Sequence, residues 1–238
     1  MKRLLLVSSS AVHGSGYLDH CAEEIVDFLG GVARSVLFVP FALKNRDAYA
    51  AKARERFRAM GFELLSIHEF VQTKVAREAL ERSESLFVGG GNTFRLLAAL
   101  HERSLLGAIR ERVGAGMPYL GSSAGANLAC PTIMTTNDMP IVQPPSFEAL
   151  ALVPFQVNPH YLDPDPSSTH MAETREQRIR EYHEENPLPV VGLREGAMLR
   201  VEGTSILLEG RAGARVFLKG EDPREFSPGD RLDFLLGA

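Results

Sequence analysis

The feature that most constrains this chain is a repeated alternation between short, β-rich apolar runs and amphipathic stretches of helical spacing. The runs are LLLVSS at 4–9, VLFVPF at 36–41, ELLSI at 63–67, LFVGG at 86–90 and YLGSS at 119–123, with helical segments at 18–29, 46–60, 69–82 and 93–114 between them. Near-continuous apolar strands separated by helices predict an α/β fold with a mostly parallel sheet covered on both faces. The strands of such a sheet present their ligands at the carboxyl edge. Here that edge collects SSSAVHGSG, GGGNT and GSSAG. From 134 to 172 the periodicity gives way to a Pro- and Asp-rich stretch with few helix or strand signals, an expected long functional loop kept ordered by Phe147, Leu150, Phe155 and Tyr161. A charged helix is expected at 173–185, followed by PVVGL and a β-rich C-terminal part. At 238 residues the chain reads as a single domain, 1–238.

Within GSSAG, Ser123 sits between Gly121 and Gly125, with an apolar strand before it and a helix former after it. That order fits a strand-to-helix elbow, in which small flanking residues let the chain turn sharply and project a nucleophilic hydroxyl. An ordinary glycine–serine turn is the competing reading. The amide of Ala124, at the start of the new helix, points where an oxyanion would form. The glycines of GGGNT, with Gly90 and Gly91 foremost, could supply a second oxyanion donor, cradle a phosphate or simply allow close packing. The loop lacks both the GxGxxG spacing and the Walker lysine, which weakens the phosphate reading; Asn92 and Thr93 suit helix caps.

A serine needs a base near neutral pH. Among seven histidines, His20, His68, His101 and His183 fall in or beside helical segments, while His160 lies in VNPHY with Pro159 restraining it; His13 and His170 remain open. For the acid that orients the base, Asp138 and Glu195 both have the required chemistry. Glu195 stands just past an apolar strand, at the edge that carries the site, and Asp138 could then take a substrate ammonium group.

Together GGGNTF, GSSAGANLACPTIMTTNDMPIV, NPHY, HMAETREQRIRE and GLREG resemble the peptidase E family of α-aspartyl dipeptidases, over nearly the whole chain. The resemblance implies a fold related to the class I glutamine amidotransferases, no metal or cofactor, a homodimer, and cleavage of Asp-Xaa dipeptides through an acyl-enzyme. It implies Ser123 as nucleophile, His160 as base, Asp138 as the acid often assigned by motif, and Arg175 as the grip on the substrate aspartate, with His170 and Asn92 among the substrate contacts. Ser122 precedes the nucleophile where some relatives carry a bulkier aromatic, so the pocket shape is expected to differ. Taken without the resemblance, Arg175 is an ordinary solvated helix residue, as Arg178 and Arg180 are.

Composition excludes several classes. A net charge of −4 with its charges scattered marks no nucleic-acid groove and no polybasic membrane patch. Cys21 and Cys130 form no CxxC pair, which argues against disulfides or zinc and fits a reducing cytoplasm. MKRLLLVSSS has too short an apolar run for a signal peptide, and no stretch reaches the roughly 18 apolar residues of a membrane span. The alternatives are a hydrolase of the same fold acting on another acidic or isoaspartyl substrate, and a non-enzymatic small-ligand-binding protein.

Overall fold

A computed structural model describes residues 1–164, 167 and 173–237. The first five apolar runs form β1 (Arg3–Val7), β2 (Ser35–Val39), β3 (Glu63–Ser66), β4 (Leu86–Val88) and β5 (Tyr119–Ser122), all mutually parallel. Two further strands, β8 (Ala197–Glu202) and β9 (Ser205–Gly210), add antiparallel to β1, giving a seven-stranded sheet in the order β3-β2-β4-β5-β1-β8-β9. A second sheet has the order β11-β10-β7-β6, from β6 (Gln156–Tyr161), β7 (Val190–Arg194), β10 (Ala214–Phe217) and β11 (Arg224–Phe226).

Alternation along the strands explains the layering. Leu4 and Leu6 of β1 enter one hydrophobic cluster, Leu5 and Val7 the other. The second cluster packs under α1 (Ala22–Leu29) and α2 (Arg46–Ala59), through Ile25, Phe28, Ala53 and Phe57. The first is larger. It joins α3 (Thr73–Arg82), α4 (Thr93–Glu102), α5 (Leu106–Gly114) and α6 (Ala124–Leu128) to the inner face of the second sheet, where Val157, Val191, Leu193 and Val216 are buried.

Three sequence expectations are revised. The helix expected over 93–114 is two helices, broken where Ser104 takes φ 51° and the Leu105 amide turns back to Leu100 O, which ends α4. The helix expected from 18 begins as a 3-10 turn at Asp19–Cys21, and the one expected from 69 begins only at Thr73, after a separate 3-10 turn at Ile67–Glu69 and an extended link. The stretch 134–172, expected as a long loop with few strand signals, contains strand β6. Its proline is tolerated because β6 is the edge of its sheet and bulges between Pro159 and Tyr161. The charged helix, α7 (Arg175–Glu185), opens with a capping box between Thr174 and Gln177. Among the described residues, no helix is long and apolar enough to cross a membrane.

Candidate active site

β5 runs between β4 and β1, and the chain turns sharply at its end. Ser123 caps α6 with φ 53° and ψ −110°, a conformation that costs an L-residue roughly 1–3 kcal/mol. The glycines around it are sterically required. A Cβ at Gly121 would meet the Gly125 carbonyl, and one at Gly125 would collide with the Val88 carbonyl, so the elbow lies directly on β4. The Ser123 amide donates to Val7 O at 2.9 Å, tying the strained residue to β1.

The second sheet delivers the histidine. β6 and β7 are parallel neighbours, so both end at the same edge, and Glu195 lies on the turn through which the chain leaves β7 for β8 of the first sheet. Ser123 Oγ is 2.8 Å from His160 Nε2, and His160 Nδ1 is 2.7 Å from Glu195 Oε1. A carboxylate can only accept, so Nδ1 carries the proton and Nε2 is left to accept from the serine hydroxyl. His160 has φ 53° at the bulge, and its amide donates to Ser8 Oγ at 2.9 Å while Ser8 Oγ donates to Leu193 O at 2.7 Å. One buried hydroxyl, just beyond β1, therefore ties the histidine's backbone to β7. Sequence reasoning had marked SSSAVHGSG only as a stretch that could line the edge; Ser8 within it shapes the site.

Asp138 lies elsewhere. Its Oδ2 accepts from the Thr93 amide at 2.7 Å and the Thr93 hydroxyl at 2.6 Å, and Thr136 Oγ1 is 3.2 Å away. It satisfies the first amide of α4, and Glu195, not Asp138, meets the imidazole. Asn92 is also committed: Oδ1 accepts from Arg95 N at 3.0 Å as the helix N-cap, and Nδ2 donates to Met139 O at 2.9 Å. These two residues fix the start of α4 and with it the glycine loop. A Cβ on Gly90 would stand 3.0 Å from Ser123 Cβ, and Gly91 has φ 131°, so the loop passes against Ser123 on backbone alone. The Tyr49 hydroxyl lies beneath this loop and faces the Gly90 amide. Ala124, first residue of α6, has no intrahelical acceptor for its amide.

Below the site a polar network holds β6 to the segment before it. Asn127 Nδ2 donates to Val157 O at 2.8 Å, Asn158 Nδ2 to Thr135 O at 2.8 Å, and Asn137 Nδ2 to Pro159 O at 2.6 Å. The Cys130 thiol, pushed up to about 12 by burial, accepts from the Val157 amide at 3.1 Å and is an inert part of this packing. Among the described residues, no cluster of three or more His, Cys, Asp and Glu is placed to hold a metal.

Arg175 is half-buried at the first position of α7, and burial, with Arg178 beside it, pulls its guanidinium down from the ordinary value. It forms no ion pair with any described residue, whereas Arg178 and Arg180 pair with Glu173 and Glu176. His170 lies outside the described residues.

A mostly parallel α/β sheet that presents a serine, a histidine and a carboxylate in one hydrogen-bonded series belongs to the serine-hydrolase class. Comparison with known proteins narrows this. The profile of Peptidase family S51 matches residues 4–208, and the chain belongs to that family of serine-type peptidases. It is 52% identical to Peptidase E of Streptomyces coelicolor over 98% of this chain and 94% of that one. It is 49% identical to a "Probable alpha-aspartyl dipeptidase" of Drosophila melanogaster over 99% of this chain and 98% of that one. The fold matches the crystal structure of a peptidase from an acI-B1 Actinobacterium with a TM-score of 0.71 at 18% identity, covering 98% of this chain and 96% of that one.

Proposed function

We propose that this peptidase hydrolyses dipeptides with an N-terminal aspartate, using Ser123, His160 and Glu195 as its triad. The observation that carries the reading is the unbroken series from Ser123 Oγ through both imidazole nitrogens to Glu195 Oε1, on a chain whose relatives include a "Probable alpha-aspartyl dipeptidase".

Ser123 Oγ attacks the carbonyl carbon of the N-terminal aspartate as its proton passes to His160 Nε2. Glu195 holds the imidazole in the accepting tautomer and stabilises the imidazolium. The Ala124 amide and an amide of Gly90 or Gly91 receive the oxyanion, each typically worth about 3 kcal/mol in the transition state. Collapse breaks the C–N bond, and the leaving amine takes the proton from Nε2. Water, deprotonated by the same nitrogen, then attacks the acyl ester, and the proton returns to Ser123 as aspartate departs.

Arg175, which lacks a carboxylate partner among the described residues, suits the β-carboxylate of the substrate aspartate; a guanidinium can grip it with two parallel hydrogen bonds. His170 belongs to the same expected pocket. Asn92 acts by capping α4. The chain works as a single domain, as a homodimer and in the cytoplasm on this reading, with no metal or cofactor in the chemistry.

The test is hydrolysis of Asp-Leu, isoaspartyl-Leu and Leu-Leu in parallel, with Ser123→Ala as blank. Cleavage of Asp-Leu alone, abolished in the variant, is the expected result. Failure of folded enzyme to cut Asp-Leu would overturn the assignment.

A further inference from the structure

A cavity of about 530 Å³ opens beside the glycine loop, lined in part by Tyr17, Lys44, Tyr49, Lys52, Gly90 and Gly91. Gly90 is the link to the chemistry. It borders the cavity, and a Cβ on it would stand 3.0 Å from Ser123 Cβ, so a single glycine lies between the cavity and Ser123. The floor is aromatic: the Tyr17 and Tyr49 rings meet edge to face at 6.1 Å, with their hydroxyls 3.4 Å apart. The rim is cationic. Lys44 and Lys52 are both exposed, and neither forms an ion pair among the described residues. Lys52 Nζ lies 4.7 Å from the centre of the Tyr17 ring, a cation–π contact that sets the ammonium group against the aromatic lining.

The leaving group of a dipeptide is one amino acid. Its side chain varies from substrate to substrate, but its carboxylate is constant and sits only three covalent bonds from the scissile carbon. A roomy aromatic floor with two ammonium groups above it, unpaired among the described residues, matches that combination. We propose that this cavity is the leaving-group subsite, in which the tyrosine floor accepts the variable side chain and Lys44 and Lys52 hold the C-terminal carboxylate. The assignment rests on the dipeptidase reading and adds a determinant to it: a free carboxylate, and not only an N-terminal aspartate, marks a substrate.

The experiment compares Asp-Leu with Asp-leucinamide, whose terminus is neutral, on wild-type enzyme and on Lys44→Gln, Lys52→Gln and the double variant. Wild-type enzyme is expected to favour the free acid in kcat/KM by about tenfold or more, the scale of a charge-assisted contact. The double variant should lose that preference through a higher KM for Asp-Leu while its turnover of Asp-leucinamide is unchanged, and Lys52→Arg should retain the preference. Equal wild-type activity on both substrates overturns the assignment but leaves the dipeptidase reading intact. So does a double variant that loses equally on both. A wild-type enzyme that cuts neither overturns both.

Discussion

His160 Nδ1 and Glu195 Oε1 stand 2.7 Å apart because adjacent parallel strands end together and the turn after the second carries the acid. This contact sets the tautomer that leaves Nε2 free to accept from Ser123. Glu195→Gln keeps the shape but can donate to Nδ1 and so stabilise the wrong tautomer. It should lower kcat by roughly 10⁴-fold with little change in KM, which steady-state kinetics on Asp-Leu will measure. Less than a tenfold loss would remove Glu195 from the mechanism.

Asp138 makes the opposite prediction. With Oδ2 engaged by the Thr93 amide and hydroxyl, Asp138→Ala should destabilise the fold by about 0.5–2 kcal/mol, as loss of a helix cap does. Urea unfolding reads this directly. The milder Asp138→Asn should change hydrolysis of Asp-Leu and of an amine-free ester alike; a loss confined to the dipeptide would show that Asp138 binds the substrate ammonium group.

Gly125 and Gly90 separate folding from chemistry. A Cβ at position 125 would be driven into the Val88 carbonyl, within the strand that supports the elbow, so Gly125→Ala should cost about 3 kcal/mol or more and give little folded protein. At position 90 the new methyl would press on Ser123 Cβ and the Ser122 carbonyl, at 3.0 and 3.1 Å. Gly90→Ala should therefore retain near-normal thermal stability while losing most of its kcat, as calorimetry and kinetics on the same preparation would show.

Two buried histidines give the fold an acid-sensitive limb. Burial pulls His20 below the ordinary imidazole value, helped by Arg211 and opposed by Glu24, Asp19 and Glu195; burial also lowers His183, whose Nε2 donates to Leu188 O at 3.0 Å. Below about pH 6.5 the unfolded chain binds protons that the folded chain resists, so stability is present above that pH and is lost as pH falls toward the depressed folded values. Urea midpoints should drop between pH 7.5 and 5.5, and His20→Gln should flatten part of that slope. An unchanged slope in the variant would assign the limb to other groups.

Much of this was legible in the chain alone. The first five apolar runs place five parallel strands because burial on both faces demands uninterrupted apolar sequence, and GSSAG marks the elbow because only small residues can flank a serine seated on β4. Strand β6 was hidden: the Pro- and Asp-rich stretch around it lacks strand alternation, and only the sheet order reveals that Pro159 lies on an edge strand where a missing amide is tolerated. The split of 93–114 was hidden too, since apolar periodicity continues across Ser104 while the backbone does not.

The sequence by itself determined the fold class and narrowed the nucleophile and its partners to a pool of candidates, because these follow from local periodicity and from which side chains possess the chemistry. Only the tertiary structure decided which partners meet. Asp138 and Glu195 are chemically interchangeable as orienting acids, but β6–β7 pairing carries Glu195 to the imidazole and the start of α4 engages Asp138 through Thr93. Ser8, 152 positions from His160, donates to Leu193 and accepts from His160 because strands of two sheets converge at one edge. Such contacts are set by strand order and register across long separations, and local spacing carries no record of them.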